Sequence, residues 1–198
     1  MRLLLLSALC CSLLAQRPEG LRRDFFARDP KTVAIEAADK ARVQRSPDAL
    51  LLAACGRVYL QAGARDRAED AFRRALAEGG TEARVAVGEA WLKAGHPEQG
   101  LPVLAALDVK GRRDAAPAAQ AAALLLRHGK SAEAQALQDR ALAASPKDWR
   151  LCVTYAAAAL QVGQRELATA WFERAVALQP TGDEVWSAIA QACIEANP

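Results

Sequence analysis

Along residues 149–180, WRLCVTYAAAALQVGQRELATAWFERAVALQP, small and large apolar residues recur at spacings that predict two helices folded back on one another. Leu151, Val153, Tyr155, Ala159 and Leu160 put apolar side chains on one side of a first helix, and Ala156 is small where a second helix crosses closely. Gly163 ends that helix. A second begins at Arg165 or Glu166 and carries Ala168, Trp171, Phe172, Ala175 and Val176 as one stripe at spacings of three and four. Pro180 closes it, since proline has no N–H for the next helical hydrogen bond.

The unit repeats along the chain. Its turn glycine recurs as Gly63, Gly95, Gly129 and Gly163, in steps of 32, 34 and 34 residues. The crossing residue recurs in step as Gly56, Gly88, Ala122, Ala156 and Ala190, and the small residue opening the second helix as Ala34, Ala68, Gly100, Ala134 and Ala168. Ala38, Phe72, Leu104, Gln138 and Phe172 form another column, as do Ala41, Ala75, Leu107, Ala141 and Ala175. A bulky first-helix column runs Phe25, Tyr59, Trp91 and Leu125 before shrinking to Ala159 and Cys193. These columns predict repeats at 48–80, 81–114, 115–147 and 148–180, a degenerate copy at 21–47 and a capping helix at 182–196. The low aromatic content and abundant alanine suit closely packed helices better than sheets.

On these residues, best in 49–80 and 149–180, the chain resembles the tetratricopeptide repeat (TPR) family. The resemblance covers residues 21–196 and implies an all-α fold, a right-handed α-solenoid of stacked antiparallel hairpins. It also implies a concave groove lined by first helices and a protein or peptide partner lying in it. Some relatives clamp a partner's terminal carboxylate with lysine and asparagine on this face. Here Arg57, Glu89, Ala123 and Ala157 stand where the asparagines would fall, so that activity does not carry over.

Two stretches depart from regularity. Gly100 and Leu107 replace alanines and Pro102 falls inside a second helix, which predicts a shortened or kinked element. Residues 108–114, DVKGRRD, follow as a charged, non-periodic interruption and a flexing point. In the first repeat, RDRAEDAFRR places its charges opposite Ala68, Ala71, Phe72 and Ala75. Glu69 with Arg73 and Asp70 with Arg74 are four apart, each pair contributing about 0.3 kcal/mol on a solvated face. Ahead of it, a helix over 31–45 turns Val33, Ala34, Ala37, Ala38 and Ala41 inward, and Ser46 or Asp48 caps the next.

The first fifteen residues change the picture of where the protein works. Arg2 precedes an apolar run at 3–15, too short to span a bilayer comfortably and suited to a secretory signal cleaved after Ala15. Residues 16–20 then read as a linker, and 21–28 as a brief first-helix remnant. A lipidated Cys10 or Cys11 and an uncleaved anchor are the competing readings. Cleavage leaves no membrane span and a chain for the periplasm or the exterior. It removes Arg2 alone, so the net charge of +3 becomes +2. With acidic and basic residues interleaved throughout, this charge offers no footprint for nucleic acid or an anionic membrane.

The chain carries no recognisable catalytic or metal-binding motif. Cys55, Cys152 and Cys193 fall in helical core columns without metal or redox spacing, and read as small buried hydrophobes, although a disulfide cannot be read from spacing. His96 and His128 sit apart in hairpin turns and make neither a metal site nor a catalytic pair. No phosphate loop or nucleophile elbow is present. Hence no cofactor, no metal and no enzymatic activity is expected. Trp91, Trp171 and Trp186 fall on stripe positions as core, while Trp149, opening a helix, is the one placed for partial exposure and use as a binding anchor.

Function then rests on shape. The first-helix face away from the hairpin core includes Arg57, Gln61, Glu89, Lys93, Gln120, Arg127, Arg150, Thr154, Gln161, Ser187 and Gln191, with Arg57, Arg127 and Arg150 as its charged part. A non-catalytic interaction scaffold outside the cytoplasm is the reading these features favour. A nucleic-acid-binding helical repeat protein and a small-ligand carrier are the alternatives, the first requiring salt-sensitive RNA binding and the second a closed polar pocket.

Overall fold

The computed structural model describes residues 27–43 and 47–196, so the expected signal, the linker, Phe25 and the Ser46 cap lie outside the described residues. Among the described residues there are ten helices and no strand. They are α1 (Pro30–Arg42), α2 (Ala49–Gln61), α3 (Arg65–Glu78), α4 (Thr81–Lys93), α5 (Pro97–Ala105), α6 (Arg112–Arg127), α7 (Ser131–Ala144), α8 (Trp149–Gln161), α9 (Arg165–Leu178) and α10 (Asp183–Ala196). Pairs α2/α3, α4/α5, α6/α7 and α8/α9 form antiparallel hairpins.

Each hairpin turn is built the same way. Gly63, Gly95, Gly129 and Gly163 have φ of 84, 81, 74 and 77°, the left-handed region that a side chain makes costly. The residue after each glycine donates back five positions to the helix it leaves. These bonds are Ala64 to Tyr59 (2.8 Å), His96 to Trp91 (2.9 Å), Lys130 to Leu125 (3.0 Å) and Gln164 to Ala159 (2.9 Å). One glycine conformation thus both satisfies the last carbonyls and reverses the chain. Helix starts use carboxylates: Asp29, Asp48 and Asp148 accept from the N–H of Thr32, Leu51 and Arg150.

Inside a hairpin, the crossing column works by subtraction. A Cβ on Gly56 would lie 2.4 Å from Cε1 of Phe72, and one on Gly88 2.5 Å from Cδ2 of Leu104. The absent side chains let the two helices of each hairpin close onto a large residue. Phe72 then meets Trp91 of the next repeat at 5.1 Å between ring centroids, and Tyr155 meets Trp171 edge-on at 5.3 Å. The core runs as two clusters joined at α4, which gives Val87, Ala90 and Trp91 to the first and Val85 to the second.

Between hairpins, first helices pack on first helices throughout: α2 on α4, α4 on α6, α6 on α8 and α8 on α10. Second helices scarcely meet, with only α5 and α7 touching among the described residues. A row closed on one side and splayed on the other curves, with the first helices inside the bend.

Several expectations are corrected. α1 ends at Arg42, and Ala37 is exposed rather than inward, because only the Ala38 side meets α2. Glu69 pairs back to Arg65 at 2.8 Å, and Asp70 takes Arg42 at 2.6 Å and Arg73 at 3.4 Å, because Arg42 on α1 reaches across to Asp70. The shortened element is real: α5 has nine residues against thirteen to sixteen in the other helices, with Pro102 inside. The interruption after it is briefer than expected, since α6 starts at Arg112. It is also tied down, with Arg140 donating to the Leu107 carbonyl at 2.9 Å and Leu107 itself buried. α8 is buried on nearly every side, Cys152 and Ala158 included, because α6, α9 and α10 all pack on it.

α10 departs furthest. Val185 is buried as its place on the apolar face predicts, but Trp186 is 55% exposed, Ala190 and Cys193 are exposed, and Ala192 is buried instead. In the earlier repeats those columns face the second helix of their own hairpin. α10 has no such helix among the described residues, so only its α8-facing side is covered.

Candidate functional site

The exposed face of the first-helix row holds the expected groove residues. Arg57, Gln61, Lys93, Gln120, Arg127, Arg150, Gln161 and Gln191 are exposed and Glu89 is half-buried. Thr154 is half-buried, its hydroxyl donating to the Arg150 carbonyl at 2.9 Å, and Ser187 is exposed.

The structure brings part of this set together and separates the rest. Arg57, Glu89 and Lys93 share a depression between α2 and α4, about 130 Å³, floored by alanines and Leu50. Lys93 Nζ lies 2.7 Å from Glu89 Oε1. Arg57 has no counter-ion among the described residues. Arg150 is not its companion. Its guanidinium bonds Glu184 at 3.0 Å and lies 4.6 Å from the Trp149 ring centroid, at a second depression shared with Arg112, Lys147 and Asp148. Arg127 lines neither depression.

Trp149 is 6% exposed, so it is core rather than an accessible anchor. Although it is the first residue of α8, it belongs to the core cluster shared by α6, α8 and α9, and Arg150 lies over its ring.

Residue 138 lies where Phe72, Leu104 and Phe172 stand in other repeats, yet it is a fully buried Gln. Its Nε2 donates to the Leu151 carbonyl at 2.9 Å. Its Oε1 has no hydrogen-bond partner among the described residues, and interiors rarely keep such a group. Sequence reasoning also missed a polar tie between α1 and the first hairpin: Tyr59 donates to Asp39 at 2.7 Å and Arg67 to the other Asp39 oxygen at 2.6 Å. Burial, then the Asp39 bond, pushes the Tyr59 phenol up to about 12. Nothing in the local pattern signals either, since the partners are supplied by other helices.

Cys152 is pushed up to about 11 by burial, and the Cys55 thiol is raised for the same reason. His96 stacks edge-on against Trp91 at 5.5 Å, with Nδ1 3.4 Å from Glu98. Among the described residues no group of three His, Cys, Asp or Glu could hold a metal ion, and no helix is long and apolar enough to cross a membrane.

Residues 125–192, from the end of α6 into α10, match the tetratricopeptide repeat family model. That segment, about a third of the chain, carries the tetratricopeptide repeat pattern. The turn glycine, crossing residue and second-helix columns of that segment recur in the earlier hairpins. Two solved structures are among those similar to the chain. One is YrrB, described as a TPR protein with an unusual peptide-binding site, at 22% identity over 80% of this chain and 82% of that one, with a TM-score of 0.47. The other is MamA AMB-1, at 19% identity over 84% and 91%, with a TM-score of 0.46. No curated protein matches the chain.

Proposed function

We propose that this protein is a non-catalytic scaffold that holds a peptide or helix of a partner protein against its row of first helices. The observation that carries the reading is that row itself: α2, α4, α6, α8 and α10 touch in order, and nine of the eleven groove residues expected from sequence stand exposed along it. Repeated hairpins bury their apolar stripes against each other, and what remains outward is a long polar surface suited to an extended partner. The place of work we propose is the periplasm, the cell envelope or the exterior, on the strength of the apolar run at residues 3–15 behind Arg2.

Crosslinking mass spectrometry on intact cells, followed by fractionation, tests both halves. A protein partner crosslinked through Lys93 and recovered with the envelope or periplasmic fraction is the expected result. Recovery of the uncleaved chain in the cytosol overturns the location. Crosslinks confined to the second helices overturn the groove.

A further inference from the structure

The geometry points to the depression between α2 and α4 as the anchor subsite of this surface, taking one aliphatic side chain and an adjacent carboxylate from an acidic peptide. This rests on the scaffold reading above and adds the chemistry of the partner. The floor is apolar: Leu50 is 41% exposed in a helix whose other large apolar residues are buried or half-buried, and Ala54 and Ala86 leave space opposite it. A volume of about 130 Å³ matches one side chain of leucine or valine size, close to cavities that accept a single small apolar group.

Charge fixes the second half of the ligand. Arg42, Arg65, Arg67 and Arg150 each hold a carboxylate of this chain, at 2.6, 2.8, 2.6 and 3.0 Å. Arg57 holds none among the described residues, although it rims the pocket. The carboxylate beside it, Glu89, is already neutralised by Lys93 at 2.7 Å. An arriving ligand therefore meets one net positive charge above an apolar floor. Further along the row the combination does not recur, since Ala123 and Ala157 occupy the Arg57 column. A planar guanidinium with free donors suits a carboxylate in bidentate contact.

The test uses the full chain, immobilised, to select from a random-peptide library displayed on phage. Enriched peptides are then synthesised with a fluorophore and titrated by anisotropy. The expected sequences carry Asp or Glu beside Leu, Val or Ile. Arg57→Gln weakens them about five- to tenfold, the size of one exposed charge-assisted contact. Exchanging the peptide's Glu for Gln weakens binding to the unaltered chain equally, yet not to Arg57→Gln, because the two changes remove the same interaction. Ala86→Leu, which fills the floor, abolishes the preference for the aliphatic neighbour, and Arg73→Gln, an exposed arginine on α3 outside the row of first helices, leaves all affinities unchanged. Enriched peptides indifferent to both Arg57→Gln and Ala86→Leu overturn this subsite and leave the scaffold reading standing. Failure to enrich any peptide overturns both.

Discussion

Substitution in the two glycine columns separates two physical costs that sequence periodicity treats alike. Gly163 has φ of 77°, and a Cβ there would meet nothing within 4 Å. Any penalty is therefore conformational: about 1–2 kcal/mol for an L-residue held left-handed, and more for a β-branched one. Gly56 has no positive φ, but a Cβ would sit 2.4 Å from the Phe72 ring, which cannot retreat because Trp91 lies 5.1 Å behind it between centroids. Its penalty is steric, about 1–3 kcal/mol for overpacking. Asparagine discriminates, since it tolerates the left-handed region but needs more room than alanine. Gly163→Asn should cost well under half of Gly163→Val, whereas Gly56→Asn should cost more than Gly56→Ala. Thermal unfolding followed by helical circular dichroism reads the difference at about 2–4 °C per kcal/mol for a chain of this size. Repeat arrays unfold in parts, so amide exchange in α8 and α9 gives the local reading at Gly163. Equal losses for Asn and Val at 163, or a neutral Gly56→Ala, would refute the reasoning.

Trp171→Ala, at a position 6% exposed against Tyr155, should lose about 3–5 kcal/mol by thermal melt, while Trp186→Ala, 55% exposed, should lose less than about 1 kcal/mol. The Tyr59 phenol, raised from 10.0 to about 12, contributes stability that is complete below pH 10 and disappears as pH climbs through 12; Tyr59→Phe should flatten the alkaline limb of a denaturation profile, and an unchanged limb would remove Tyr59 as its source. Iodoacetamide at pH 8 should modify Cys193 quickly and spare Cys55 and Cys152, whose thiols are buried and raised, as peptide mass spectrometry can verify. Arg140→Ala frees the Leu107 carbonyl and should accelerate tryptic cleavage at Lys110, Arg112 and Arg113; cleavage rates equal to those of the unaltered chain would mean the Arg140 bond does not restrain that joint.

What the sequence determined by itself was the repeating unit. Turn glycines, crossing residues and apolar stripes are local requirements of one hairpin. They therefore fixed helix order, the turn positions and the shortened α5 before any contact between repeats was known. The tertiary structure decided everything that depends on which neighbour is present. Trp186 and Trp171 sit on similar stripes, yet one is exposed and the other buried, because α10 has no second helix against it among the described residues. Trp149 is covered although it opens its helix, because the core cluster shared by α6, α8 and α9 takes it in. Arg57 and Arg150 are equally exposed cations in sequence. Only the register of α8 against α10 gives one of them Glu184 and leaves the other facing an open depression. A side chain's pattern can state which face of its helix it occupies, whereas its counter-ion and its cover come from residues some thirty positions away, placed by packing alone.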